Sequence, residues 1–275
     1  MKIGVIIDHR EGTLEQSIRK LNDYDFDNYQ LSSWEPKLWT QEQADIILKC
    51  EKEYGVTMSA FWCGWSGPKV WDFYEGHILG LVPEQYREQR INDLKRGSDF
   101  ARLFNATQIV THVGFIPENP NDENYKSLII SLRELANHCK SNGQDFMFET
   151  GQETPVTLLR TIEDIGTGNL GINFDTANLI MYGKANPLDA LDVFGKHIKA
   201  MHAKDGMYPK NGRELGNEVK IGTGKVDFKN IIRRLKDEFN FTGPITIERE
   251  IDGEQQINDI IESRKYLEQF TVSKT

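Results

Sequence analysis

The sequence predicts a single (β/α)8 TIM barrel spanning residues 1–275, and three observations lead there. Eight short β-rich runs alternate with eight longer amphipathic segments, no linker interrupts the order, and 275 residues is close to the roughly 250 that one such barrel uses. The Gly- and Pro-containing stretches at 64–68, 114–120, 206–216 and 222–224 all follow a strand, where this architecture builds its active sites. A doubly wound open sheet is the competing arrangement, set aside on unit count and even spacing.

The strands, in order, are KIGVIID (2–8), YQLSSW (29–34), VTMSAFW (56–62), QIVTHVGF (108–115), DFMFET (145–150), LGINFD (170–175), HIKAMHAK (197–204) and PITIERE (244–250). Helical segments fall between and after them at about 11–22, 41–54, 83–105, 122–142, 155–165, 187–195, 227–239 and 254–270. Segment 122–142 illustrates the pattern. Leu128, Leu132, Leu135, Ala136 and Cys139 recur at three- and four-residue steps among polar residues, giving one apolar face to lay on a sheet. Strand followed by helix, eight times, implies parallel strands joined by right-handed crossovers. The run Gly166-Thr167-Gly168-Asn169-Leu170-Gly171 has the GxGxxG spacing but lies after a helix and before a strand, the reverse of the dinucleotide fingerprint.

Composition bounds the partners. The 33 Lys and Arg stand against 42 Asp and Glu, a net charge of −9, and an acidic surface repels nucleic-acid backbones. Cys50, Cys63 and Cys139 are odd in number and lack any CxxC, so neither a disulfide framework nor a zinc knuckle is expected. The start MKIGVIID has no signal-peptide character, and no run approaches the roughly 18 apolar residues of a membrane span. The expectation is a cytoplasmic protein that binds neither membrane nor nucleic acid. The glycosylation patterns at Asn105-Ala106-Thr107 and Asn240-Phe241-Thr242 are read as chance matches in such a chain.

In a barrel the C-terminal strand ends converge on one mouth, so ionisable residues where apolar strands stop are the informative ones. DFMFET reaches Glu149, LGINFD ends in Asp175, HIKAMHAK carries His202 and PITIERE carries Glu248, on strands five to eight. Three carboxylates and one imidazole from adjacent strands form a mixed O/N site suited to one divalent ion, Mn2+, Mg2+, Co2+ or Zn2+. Any one of these residues alone reads as a solvated acid or a packed histidine; four in register read as ligands. Glu250 shares the strand face of Glu248, and the earlier residue, deeper in the barrel, is chosen. His112 on strand four either bonds a substrate hydroxyl or a neighbouring carboxylate. Asp8 and His9 close strand one. Trp34, Phe61, Trp62 and Trp65 crowd strand ends two and three, where indole faces suit the C–H faces of sugars or serve core or subunit packing. The loop Ile221-Gly222-Thr223-Gly224-Lys225-Val226-Asp227-Phe228 either cradles a phosphate or is a turn capped by Asp227 with Val226 packed as a staple.

At FETGQE (148–153), NFDTAN (173–178), MHAKDG (201–206), IGTGKVDF (221–228) and ITIERE (245–250), the chain resembles the xylose-isomerase-like barrel superfamily, particularly its sugar phosphate isomerase/epimerase members and the related ketose 3-epimerases. The resemblance covers nearly the whole chain. It implies one divalent metal on Glu149, Asp175, His202 and Glu248, with Glu149 and Glu248 also the catalytic acid/base pair, a small carbohydrate substrate and a homodimer. The implied reaction is sugar or sugar-phosphate isomerisation or epimerisation through a cis-enediolate. Asn178 and Lys204 are carried over as substrate contacts beside His112, Trp34 and Trp62, Lys204 otherwise forming a structural pair with Asp205. The chain departs from ketose 3-epimerases of free sugars at Asn178, Tyr208 and Pro155, where those enzymes place a His, an Arg and a second Glu. The same barrel and metal set serve dehydratases of cyclic polyols or keto acids, and a non-catalytic sugar-binding barrel is the alternative of a different class. Apurinic endonucleases share the barrel but need more His ligands and a basic DNA face than six histidines and −9 supply.

Overall fold

The computed structural model describes residues 1–271; the last four of the predicted 1–275 unit lie outside the described residues. In chain order the elements are β1 (Ile3–Asp8), α1 (Leu14–Asp23), β2 (Asn28–Ser33), α2 (Gln41–Tyr54), β3 (Thr57–Cys63), α3 (Glu84–Arg102), β4 (Gln108–Thr111), α4 (Glu123–Ser141), β5 (Asp145–Glu149) and α5 (Pro155–Ile165). They continue with β6 (Leu170–Asp175), α6 (Thr176–Met181), α7 (Pro187–Phe194), β7 (Ile198–Ala203), β8 (Asp205–Met207), β9 (Asn217–Val219), α8 (Phe228–Phe239), β10 (Ile245–Ile247) and α9 (Glu254–Thr271). Eight parallel strands close in the order β1-β10-β7-β6-β5-β4-β3-β2, the predicted (β/α)8 barrel.

Helix ends are set by local chemistry. The side chains of Thr40, Asp122, Thr154 and Asp227 accept first-turn amide hydrogens of α2, α4, α5 and α8, satisfying donors that have no partner within the helix. Gly166, at φ +63°, ends α5, which accounts for the first glycine of the GxGxxG pattern as a helix stop.

The strand period of two then sorts side chains between two environments. Phe146, Phe148, Ile172, Phe174, Met201, Ala203, Ile245 and Ile247 point outward into the core beneath the helices. Ala60, Trp62, Val110, Met147 and Ala200 point inward and, with Trp65 and Leu79, fill the barrel as a separate apolar plug. Two residues beyond Met147 and Ala200, on the same inward faces, come Glu149 and His202. Register completes the alignment. Glu149 pairs with Asn173, Asp175 lies level with His202, and His202 lies level with Thr246, two residues before Glu248.

Two strands, β4 and β10, are each four residues shorter than predicted, the other differences being one or two residues. β4 stops at Thr111 rather than Phe115, because the Val113 carbonyl accepts the Leu81 and Val82 amides and Gly114 turns the chain at φ +101°. β10 stops at Ile247, because Arg249 pairs outward with Glu218 and Asp259, and Glu218 accepts the Glu250 amide. The short helix α6 and the hairpin β8–β9 lie where the sequence predicts only loop.

Gly80 is held at φ +70° where the loop after β3 meets the β4 turn, and any Cβ there would collide with the Val113 carbonyl. Both the backbone angle and the contact oppose a side chain. Gly80→Ala is expected to lower unfolding free energy by at least ~2 kcal/mol, read from urea denaturation.

Candidate metal centre

Glu149, Asp175, His202 and Glu248 each offer a ligand atom, and these atoms all lie within 4.8 Å of one another. They come from β5, β6, β7 and the residue after β10, four consecutive strands of the barrel wall. His202 is the hub. Its Nδ1 lies 3.0 Å from Glu149 Oε1, 3.0 Å from Glu248 Oε2 and 3.9 Å from Asp175 Oδ2, and the ring is fully buried. On its far side Nε2 meets Gln30 Oε1 of β2 at 2.6 Å. A carboxamide oxygen can only accept, so Nε2 donates to it. Nδ1, between two carboxylate oxygens, donates on the other side; burial opposes the charged ring, but these acids outweigh it and hold the imidazole well above its ordinary range.

Asp175 has two tasks. Oδ1 accepts the Asn178 amide and caps α6, while buried Oδ2 has no hydrogen-bond partner. Glu149 receives the Trp62 indole N–H on Oε2, and His112 Nε2 lies 3.5 Å from Oε1. Lys204, nearly fully buried, places Nζ 3.0 Å from Glu250, 3.6 Å from Glu248 and 3.9 Å from Asp175.

The charges sort themselves by neighbour. Burial opposes ionisation of Glu149 and Glu248. The imidazoles of His112 and His202 outweigh it for Glu149, and the Lys204 ammonium with His202 outweighs it for Glu248, so both are held below the usual carboxylate range. For Asp175 burial wins, reinforced by the neighbouring glutamates, and its carboxyl is pushed up. Burial lowers His112 below its ordinary range, against the pull of Glu149 and Glu248. The donor set fits a divalent cation on two grounds. Oδ2 of Asp175 is an unsatisfied buried acceptor, and the atoms are the hard oxygens and single imidazole that Mg2+, Mn2+, Co2+ or Zn2+ accept.

Glu149 and Glu248 line a cavity of about 1080 Å³ that runs from the barrel mouth into the crevice between α1 and α9, and its lining includes His112, Asn178, Lys204, Trp34 and Trp62. Of the two readings for His112, the carboxylate neighbour is in place, since Nε2 faces Glu149, while Nδ1 is buried without a partner. Trp62 is tied to Glu149, with Trp34 packed on it at a tilt, 4.7 Å between centroids. Other candidates lie elsewhere. Trp65 is plug and Phe61 is outer core. His9 bonds Ser33 and Gln43 away from the cluster, and exposed Asp8 pairs with Arg10. Glu250 stands at the solvent edge, leaving Glu248 as the member of the cluster.

Two of the alternatives left open by the sequence are closed. Asp205 does not pair with Lys204; its carboxylate accepts the amides of Gly206, Gly222, Gly224 and Val226. The glycine-rich loop is therefore occupied by an anion of the chain itself and is no phosphate cradle, and Asp227 caps α8 as the alternative reading has it. Gln30 was missed; its signal is a carboxamide on the inward face of YQLSSW, at a position whose partner is 172 residues away.

A profile of the Xylose isomerase-like TIM barrel family matches residues 18–270. The crystal structure of a xylose isomerase domain protein from Planctomyces limnophilus is 32% identical, with a TM-score of 0.90, covering 98% of this chain and 96% of that one. A xylose isomerase-like TIM barrel protein from Mycobacterium smegmatis, solved in complex with magnesium, is 20% identical, with a TM-score of 0.74 and coverage of 98% and 96%. A D-tagatose 3-epimerase-like protein is 22% identical, with a TM-score of 0.72 and coverage of 98% and 97%. The last two are similar in fold.

Because Gln30 fixes the tilt of His202, Gln30→Leu is expected to weaken Mn2+ binding about 10–100-fold in calorimetric titration. Glu153, in the loop after β5, is buried with Oε1 unpartnered, and burial pushes its carboxyl up to about 7. The unfolded chain ionises this group near its ordinary 4.5, so between pH 4.5 and 7 the folded state loses up to ~3 kcal/mol of relative stability. Glu153→Gln is expected to be more stable than the parent at pH 8, with the gap closing below pH 4.5, as measured by urea denaturation at the two pH values.

Proposed function

Because the chain belongs to the Xylose isomerase-like TIM barrel family, we propose that it is a divalent-metal-dependent isomerase or epimerase of a small carbohydrate. The observation that carries this reading is the convergence of four ligand-capable side chains from four adjacent strand ends, two of which, Glu149 and Glu248, open onto one cavity.

Glu149, Asp175, His202 and Glu248 would hold the ion. When bound, it supplies Lewis acidity that polarises a sugar carbonyl and lowers the cost of removing a proton from the adjacent carbon. The rest is done by side chains. Glu149, kept ionised by His112, His202 and the Trp62 indole, is a proton acceptor whose orientation is fixed from three sides. Glu248 stands across His202 from it, its charge supported by Lys204. A proton taken by one glutamate and returned by the other to the opposite face of the same carbon inverts that carbon; return to the neighbouring carbon exchanges aldose and ketose. The reverse reaction swaps the two roles. His112 Nδ1 and the Tyr182 hydroxyl, buried acceptor and donor groups without partners at the cavity, are suited to substrate hydroxyls. The plug of Trp62, Trp65 and Met147 beneath keeps water from entering through the barrel.

Incubation of the Mn2+-loaded protein with a panel of ketoses in D2O, followed by proton NMR, tests the reading. Exchange at a carbon next to the carbonyl is expected, and Glu149→Gln and Glu248→Gln should each reduce it at least ~100-fold while melting as cooperatively as the parent. Loss of water instead of exchange would replace epimerisation by dehydration. Unchanged exchange in either variant would remove the acid/base assignment.

A further inference from the structure

We propose that the cavity carries a second sugar-ring subsite, built from Trp34, Lys69 and Trp71, and that the substrate is a two-ring carbohydrate, a ketose-containing disaccharide or keto-glycoside, rather than a monosaccharide or a sugar phosphate. The proposal rests on the carbohydrate reading above and deepens it.

The first observation is extent. The cavity that Glu149 and Glu248 line continues outward past Trp34, Lys69 and Trp71 before running on between α1 and α9, so space for a ligand does not end at the ligand cluster. The second is a line of rings leading outward from that cluster. Trp62 holds Glu149; His112 stands beside both; Trp71 packs 5.1 Å from His112 and meets Trp34 edge-on at 6.3 Å. Trp62 is 4% exposed whereas Trp71 is 40% exposed, so the outermost indole offers an open face to whatever extends from the cluster. Indole faces with adjacent donors suit the C–H faces and hydroxyls of a pyranose. Lys69 supplies the donors. Its ammonium lies 4.5 Å over the Trp34 ring, lines the same cavity and forms no ion pair among the described residues.

The third observation is that this wall is held in place. Trp71 and Lys69 lie on the long irregular segment between β3 and α3, which a single buried guanidinium straps down. Arg90 donates to the carbonyls of Ser66, Pro68, Ile78 and Gly80, and Asp93 accepts the Ser66 amide. Such a strap is the cost of presenting an indole at a fixed place outside regular structure. Finally, the loop that would have gripped a phosphate has its amides on Asp205, so recognition beyond the first ring falls to the aromatic wall.

The test compares D-fructose, D-fructose 6-phosphate and a reducing glucosyl-fructose disaccharide by calorimetry on the Mn2+-loaded protein. The disaccharide is expected to bind at least tenfold more tightly than fructose, Trp71→Ala to bring that ratio to about one, and Trp71→Tyr to retain most of it. A ratio near one in the parent, a ratio unchanged in Trp71→Ala, or tightest binding of the phosphate would overturn the subsite. Deuterium exchange on the same sugars separates the two claims. Exchange of fructose without disaccharide preference sinks the subsite alone; a Trp71-dependent preference with no exchange of any sugar leaves the subsite standing and removes the catalytic reading.

Discussion

Three carboxylates brought together out of water are the constraint from which the rest of this mouth follows. Glu149, Asp175 and Glu248 cannot all be ionised in a buried space unless positive charge or hydrogen bonds reach them. Each is answered differently. Glu149 has two imidazoles and an indole, Glu248 has an ammonium and an imidazole, and Asp175 has one oxygen committed to a helix N-terminus and the other open. What these partners leave unmet is the second oxygen of Asp175, an acceptor with no donor in reach. His202 belongs to every part of this balance, and its own orientation depends on Gln30 from the opposite wall.

The barrel was legible because its signals are local. Period-two apolar runs, threonine and aspartate caps, and glycines after helices are read within a few residues, and the strand order follows from right-handed crossovers. The four-residue cluster was legible for a related reason. In a closed parallel barrel the end of a strand has one destination, so an acid where LGINFD stops is placed by topology alone. What could not be read were partnerships fixed only on closure. Gln30 and His202 are 172 residues apart, and nothing in YQLSSW says which polar residue will face it. The segment NFDTAN does carry a cap signal, Asp175 three residues before Asn178, but α6 is only six residues long and is buried throughout, so it has no amphipathic period to announce it. The overlong strands four and eight failed similarly: their composition is β-like past the point where Val113 and Arg249 find partners outside the sheet.

The ligand-capable side chains are concentrated on the half of the wall formed by β5, β6, β7 and β10, while the opposite half supplies shape. Trp34, Trp62 and Trp71 come from the loops and strand ends of β2 and β3, face the ligand cluster across the cavity, and hold no ligand atom of it. Division of labour of this kind lets one side be fixed by charge and the other by contour. The strap of Arg90 belongs to the second side, converting an irregular segment into a wall by bonding carbonyls instead of burying an apolar face.

Asp205 has a further consequence. Its carboxylate occupies a nest of backbone amides of the sort that elsewhere takes an oxyanion from solution, so the loop is anion-binding in construction and self-supplied in practice. Difference between a structural turn and a phosphate receptor in this barrel thus comes down to one side chain rather than to loop geometry. An identical glycine-rich stretch in a homologous chain lacking that aspartate would be free for a ligand, and ligand class could diverge across the family without any remodelling of the backbone.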